Sequence, residues 1–202
     1  MFAWQVMVVE GVVDPAHRAW VGRSVAELAE AEGKAPLDCF LDMALSENLE
    51  TQFALVMPPM EQFVRDTEEL IRDPIVMAGS SDGGAHLLSF TGADYTTRLL
   101  TDWVPRALSL EAAVSRLTMM PAVVHGLRDR GVVREGAWAD LVLFDPARLR
   151  VGATRFVRDF PGGSARYVVD AEGYVMTVVN GQVLLDQGRP TGALPGHVLR
   201  GG

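Results

Sequence analysis

The sequence predicts an α/β fold over residues 1–130 followed by a β-rich segment over 131–202. Short apolar runs bounded by Gly or Pro alternate with capped helical stretches in the first part, the pattern of a parallel α/β unit. Past Gly131 the helical periodicity stops and short β runs take over. Asn180-Gly181 joins the last two of these runs, and this pair readily takes the positive φ angles of a two-residue type I′ hairpin turn.

In order, Trp4–Val9 reads as a short buried strand, stopped by Glu10-Gly11. Ser24 starts a helix, with Glu27 three positions on completing a capping box, and Gly33 ends it. Pro36 opens a second helix with Leu37, Phe40, Leu41, Ala44 and Leu45 on one face. Residues 52–57 read as a strand or buried connector, and 60–72 as a helix that turns Phe63, Thr67, Leu70 and Ile71 inward. Asp73-Pro74 breaks that helix, and Ile75–Ala78 is the next strand. Helices follow over 95–103, over 110–118 behind a Ser109 cap, and over 121–127. The β runs are 140–144, 166–169, 175–179 and 182–186, with an irregular Gly/Pro-rich tail from Gly188.

A formal net charge of -8, with Lys34 the single lysine, disfavours nucleic-acid binding and a polybasic membrane-surface role. No apolar run approaches the roughly 20 residues of a membrane span. Cys39 is the one cysteine, so neither an internal disulfide nor a thiolate cluster is available. With no basic n-region at the N-terminus, a cytoplasmic setting is expected.

Chemistry concentrates in Ile75–His86. An apolar run leads into the turn Gly79-Ser80-Ser81-Asp82-Gly83-Gly84-Ala85-His86, and a strand end aims such a carboxylate while the loop keeps it reachable. Asp82 is the candidate for chemistry in this turn, or an Asx-turn residue before two glycines. Ser81, the Gly83 amide and His86 are candidates for contacting substrate, or for shaping the turn. The spacing lacks the Gly-x-Ser-x-Gly of a nucleophilic serine.

Three segments in this order resemble the amidohydrolase superfamily, in its D-aminoacylase (N-acyl-D-amino-acid deacylase) branch. They are Gly79–His86, Leu108–Val114 running on to Thr118 and Pro121-Ala122, and Arg130-Gly131 through Ala139–Pro146. Gly22–Ala29, Val179-Asn180-Gly181, Thr191-Gly192 and Pro195-Gly196 are similar too. The resemblance implies a metal-dependent (TIM-like) β/α barrel beside a small β-sandwich. Residues 1–130 would hold the last barrel strands and 131–202 part of the sandwich. It also implies a zinc-activated water, with Asp82 touching the metal and acting as general base on a linear amide of the N-acyl amino acid type.

Such a zinc needs about three protein ligands. His17, His86, His125 and His197 are all isolated, and the His-x-His pair of the family is absent. The α/β part has room for roughly three or four β/α units of ~30 residues, against about 250 residues for a barrel. The chain thus reads as the C-terminal portion of such an enzyme, with most zinc ligands on a missing N-terminal barrel half. The alternative is a non-catalytic fragment or partner subunit. His17 and His197 are expected in solvent, His125 at a helix end, and Cys39 in the core.

Overall fold

A computed structural model describes residues 3–57, 60–79, 81, 87–88 and 92–199. They form two compact units, divided between Phe63 and Val64.

The first unit is built on β1 (Met7–Gly11), α1 (Val25–Glu32), α2 (Pro36–Ser46) and β2 (Gln52–Leu55). The Ser24 hydroxyl accepts from the Glu27 amide at 3.1 Å, and the Glu27 carboxylate accepts from the Ser24 amide at 2.8 Å. This is the capping box expected from sequence. Gly33 closes α1 at φ 66°, where its lack of a Cβ removes the strain. β1 and β2 pair antiparallel, with Val8 opposite Ala54, and not parallel as the alternation predicts. Two helices separate these strands, so the chain reverses three times between them and returns in the opposite sense. Residues 4–6 form a turn, and the strand starts at Met7.

Val9, Val25, Leu28, Ala29, Cys39 and Met43 make the core, with Trp4, Phe40 and Phe53 packed against it. Each fully buried valine contributes about 1.5–3 kcal/mol. Burial pushes the Cys39 thiol up, as befits a core cysteine. The expected α2 face is corrected. Cys39, Met43 and Ala44 turn inward, whereas Leu37, Leu41 and Leu45 are exposed. α2 is apolar over more of its circumference than one core contact can cover.

His17 is also corrected. It lies in a short 3-10 turn (Pro15–Trp20), stacked on Trp20 with ring centroids 3.9 Å apart. Its Nδ1 meets the Glu47 carboxylate at 2.5 Å, and the Glu47 side chain is fully enclosed. Val13 and Asp14 donate their amides to the same carboxylate. Sequence missed this pair because its partners lie 30 positions apart with no motif linking them.

The second unit carries the rest of α3 (Glu61–Arg72), then α4 (Tyr95–Asp102), α5 (Leu110–Leu117) and α6 (Met119–Val124). β3 (Leu141–Phe144), β6 (Tyr174–Val179), β7 (Gln182–Asp186) and β8 (Arg189–Pro190) form an antiparallel sheet in the order β3-β6-β7-β8. β4 (Arg150–Val157) and β5 (Arg166–Glu172) pair separately. β4 escapes the period-2 test because Gly152-Ala153 interrupts it. Gly152 sits where a Cβ would come within 3.0 Å of the Asp170 carbonyl, at the shift in register between Val151 and Thr154. Asn180 (φ 48°) and Gly181 (φ 78°) make the expected turn between β6 and β7. The Thr97 and Tyr174 hydroxyls meet at 2.9 Å, tying α4 to β6.

α3 departs from its expected role. None of its residues is buried, and Phe63 and Leu70 are 66% and 57% exposed. Thr67 and Ile71 are half-buried. No helix among them is long and apolar enough to cross a membrane.

Two outcomes follow for the first unit. Ser24→Ala removes a cap that accepts an orphan amide, and should lower stability by about 1 kcal/mol, read from a urea midpoint. For Glu47, burial alone would push its carboxyl up. The hydrogen bond from His17 and the Val13 and Asp14 amides outweigh this and hold it below the ordinary 4.5. Its stabilisation is therefore complete above pH 4.5 and lost as pH falls through the lowered folded value. Glu47→Gln should destabilise the protein at pH 7, and the gap to wild type should close in acid when both are unfolded across that range.

Candidate functional site

The apolar run before Asp82 is not a strand. After α3 ends at Arg72, residues 73–79 form a turn and an irregular stretch that makes no strand. Asp73 donates its amide to the Glu69 and Leu70 carbonyls at 3.2 Å. Its carboxylate accepts from the Ile75 amide at 2.9 Å, and its carbonyl from the Val76 amide at 3.2 Å. A strand requires a neighbour to take its amides and carbonyls. Here the Val76 carbonyl instead accepts from the guanidinium of Arg116, on α5. The same guanidinium reaches the Arg72 carbonyl at 3.4 Å. The Leu87 carbonyl accepts from the Tyr167 amide of β5 at 2.9 Å.

Ser81 lies in this loop and is half-buried. Asp82, Gly83 and His86, the remaining predicted site residues, lie outside the described residues. Among the described residues no three of His, Cys, Asp and Glu come together to hold a metal ion. His17 is committed to Glu47. His125 caps α6, its amide donating to the Pro121 carbonyl at 2.9 Å, and His197 is exposed in the tail. The described donor set therefore does not make a zinc centre.

The other motif segments converge on a structural knot. The Arg130 guanidinium donates to Asp129 at 2.8 Å, Asp140 at 2.9 Å and the Asn180 side chain at 3.5 Å. It also lies 5.2 Å from the centre of the Trp138 ring, whose N–H donates to Asp129 at 2.8 Å. Asp140 in turn accepts the Asn180 amide at 2.7 Å, and Ala139 accepts the Gly181 amide at 3.0 Å. Gly131 follows at φ 84°, and a Cβ there would lie 2.7 Å from that of Ala122 and 2.9 Å from the Thr118 carbonyl. Any side chain at 131 would push α6 away. Arg130-Gly131, Ala139-Asp140 and Asn180-Gly181 are thus one arrangement that seats the sheet.

Known proteins are similar to this chain. N-acyl-D-glutamate deacylase of Alcaligenes xylosoxydans xylosoxydans is 39% identical over 106 residues, which span 52% of this chain and 20% of that protein. N-acyl-D-aspartate deacylase of the same organism is 40% identical over 97 residues, covering 48% and 18% respectively. The crystal structure of N-acyl-D-glutamate deacylase from Bordetella bronchiseptica contains zinc and a phosphonate inhibitor that mimics the tetrahedral intermediate. It matches at a TM-score of 0.53 and 26% identity, over 98% of this chain and 38% of that one. The matched region amounts to about a fifth of the length of these curated relatives. With residues 3–185 matching the Amidohydrolase family, the chain belongs to that family.

Proposed function

We propose that this chain is the C-terminal part of a metal-dependent amidohydrolase that cleaves the linear amide bond of an N-acyl-D-amino acid. The observation that carries this is the likeness to the N-acyl-D-glutamate and N-acyl-D-aspartate deacylases, at 39% and 40% identity. Residues 1–130 correspond in this reading to the last part of a β/α barrel, and 131–202 to part of a β-sandwich. A cytoplasmic setting accords with a single, buried, unpaired cysteine.

In this reading Asp82 takes a proton from the attacking water and delivers it to the leaving amine, work worth about 10²–10⁴ in rate for a well-placed group. Ser81, the Gly83 amide and His86 contact the substrate. A divalent metal, zinc in the Bordetella relative, would polarise the amide carbonyl in the complete site. In this reading Asp82 touches the metal, and most of the other ligands come from the N-terminal barrel half.

A second reading is favoured by one observation. At the end of β2 and in the segment after it, Leu55, Val56 and Met57 are 67%, 56% and 62% exposed. A surface of that kind belongs under a partner. In this reading the chain is a non-catalytic fragment or subunit that docks on the remaining barrel.

In the polypeptide completed with the remaining barrel, Asp82→Asn should cut kcat on an N-acyl-D-amino acid by about 10² or more with the circular dichroism spectrum unchanged. Near-normal turnover would remove the role assigned to Asp82. The 202-residue chain alone should hold zinc substoichiometrically and show no turnover. Tight stoichiometric zinc with turnover would exclude the second reading and the need for outside ligands.

A further inference from the structure

We propose that the leucine face of α2 seats an amphipathic helix with basic residues along its border, supplied by the N-terminal barrel half of the complete enzyme; this rests on the reading of the chain as the C-terminal part. Leu37, Leu41 and Leu45 recur every fourth residue, so they share one side of the helix. They are 51%, 46% and 66% exposed. The opposite side is already in use, since Cys39, Met43 and Ala44 are buried. A helix apolar on two sides belongs between two layers, and only one is present in the first unit. Leucines at this spacing form a ridge, and the groove that fits such a ridge is that of another helix.

Two observations select the occupant. The first is chain length. The likeness to the Bordetella deacylase takes in 98% of this chain but 38% of that one, so the greater part of such an enzyme remains to supply a covering element. The second is charge. Asp38 and Asp42 lie four positions apart, on the side of α2 next to Leu41 and Leu45. Asp38 is exposed, and the Asp42 side chain is 59% exposed. Lys34 meets Asp42 at 2.8 Å, which leaves Asp38 to a cation of the occupant. A second copy of this chain would bring the same acidic border, and a further net charge of -8, to the same face. A helix that sets arginine or lysine beside its apolar stripe satisfies both the leucines and the border, since their stems lie along apolar surface while their charges reach the carboxylates.

The test is the rate at which a maleimide labels Leu41→Cys, read by mass spectrometry of the peptide carrying residue 41. It is measured in the 202-residue chain and in the polypeptide completed with the remaining barrel. Cys39 is fully buried and supplies the unreactive background. Labelling should be fast in the 202-residue chain and at least about tenfold slower in the completed polypeptide, where a covering helix must open first. Asp38→Arg should raise the rate in the completed polypeptide by about fivefold, the upper range for an exposed charge pair, and leave the 202-residue chain unchanged. Equal rates in the two polypeptides would overturn the proposal. So would slow labelling of the 202-residue chain: sedimentation as a dimer that Leu41→Asp dissociates would assign the face to a second copy, and a monomer would show that the chain covers it unaided. No effect of Asp38→Arg would overturn the basic border. Should Leu41→Cys misfold, Leu45→Cys reads the same face. Turnover is not the readout, so a protected but inactive polypeptide would leave this result standing while the catalytic reading falls.

Discussion

The Arg130 guanidinium is the interaction on which the second unit depends. It draws Asp129, Asp140 and Asn180 to one point, and only 14% of its side chain is exposed. Removing it would leave the Asp140 carboxylate with the Asn180 amide alone to answer its charge, in a place partly shut off from water. β3 and the β6–β7 turn would then lose their common reference. Gly131 adds a steric condition to the electrostatic one, since α6 lies too close to admit a side chain. The motif segments that carry the family resemblance in this half are therefore there for assembly.

Much of this was legible because local chemistry decided it. The Ser24–Glu27 box, Gly33, the Ser109 cap and Asn180-Gly181 each combine a residue type with a backbone angle or orphan amide, and each formed as read. What failed depended on distant partners. Ile75–Ala78 has the composition of a strand, but a strand exists only beside another, and Arg116 occupies the place of that neighbour. The antiparallel pairing of β1 with β2 followed from the number of helices between them and not from any residue. His17 looked like a solvated loop histidine because nothing in Asp14-Pro15-Ala16 points to Glu47.

The family was legible in sequence motifs, whereas the contacts around residues 72–88 were not. Arg116 and Tyr167 could not have been found from spacing, since one contact runs through a side chain to backbone carbonyls and the other is between main-chain groups. Neither type leaves a residue pattern. The apolar excess on α2 and α3 was visible, but which side would be covered was not. Spacing alone turns Leu37, Leu41, Leu45 and Leu70 inward, and all four are exposed. The relatives are longer than the matched region by several-fold.

The most direct test is anomalous diffraction at the zinc edge from crystals of the polypeptide completed with the remaining barrel. The account predicts a bound metal with an Asp82 carboxylate oxygen at about 2.0–2.2 Å, and the backbone of 72–76 held by Arg116. A metal ligated wholly by other residues, with Asp82 turned away from it, would contradict the account.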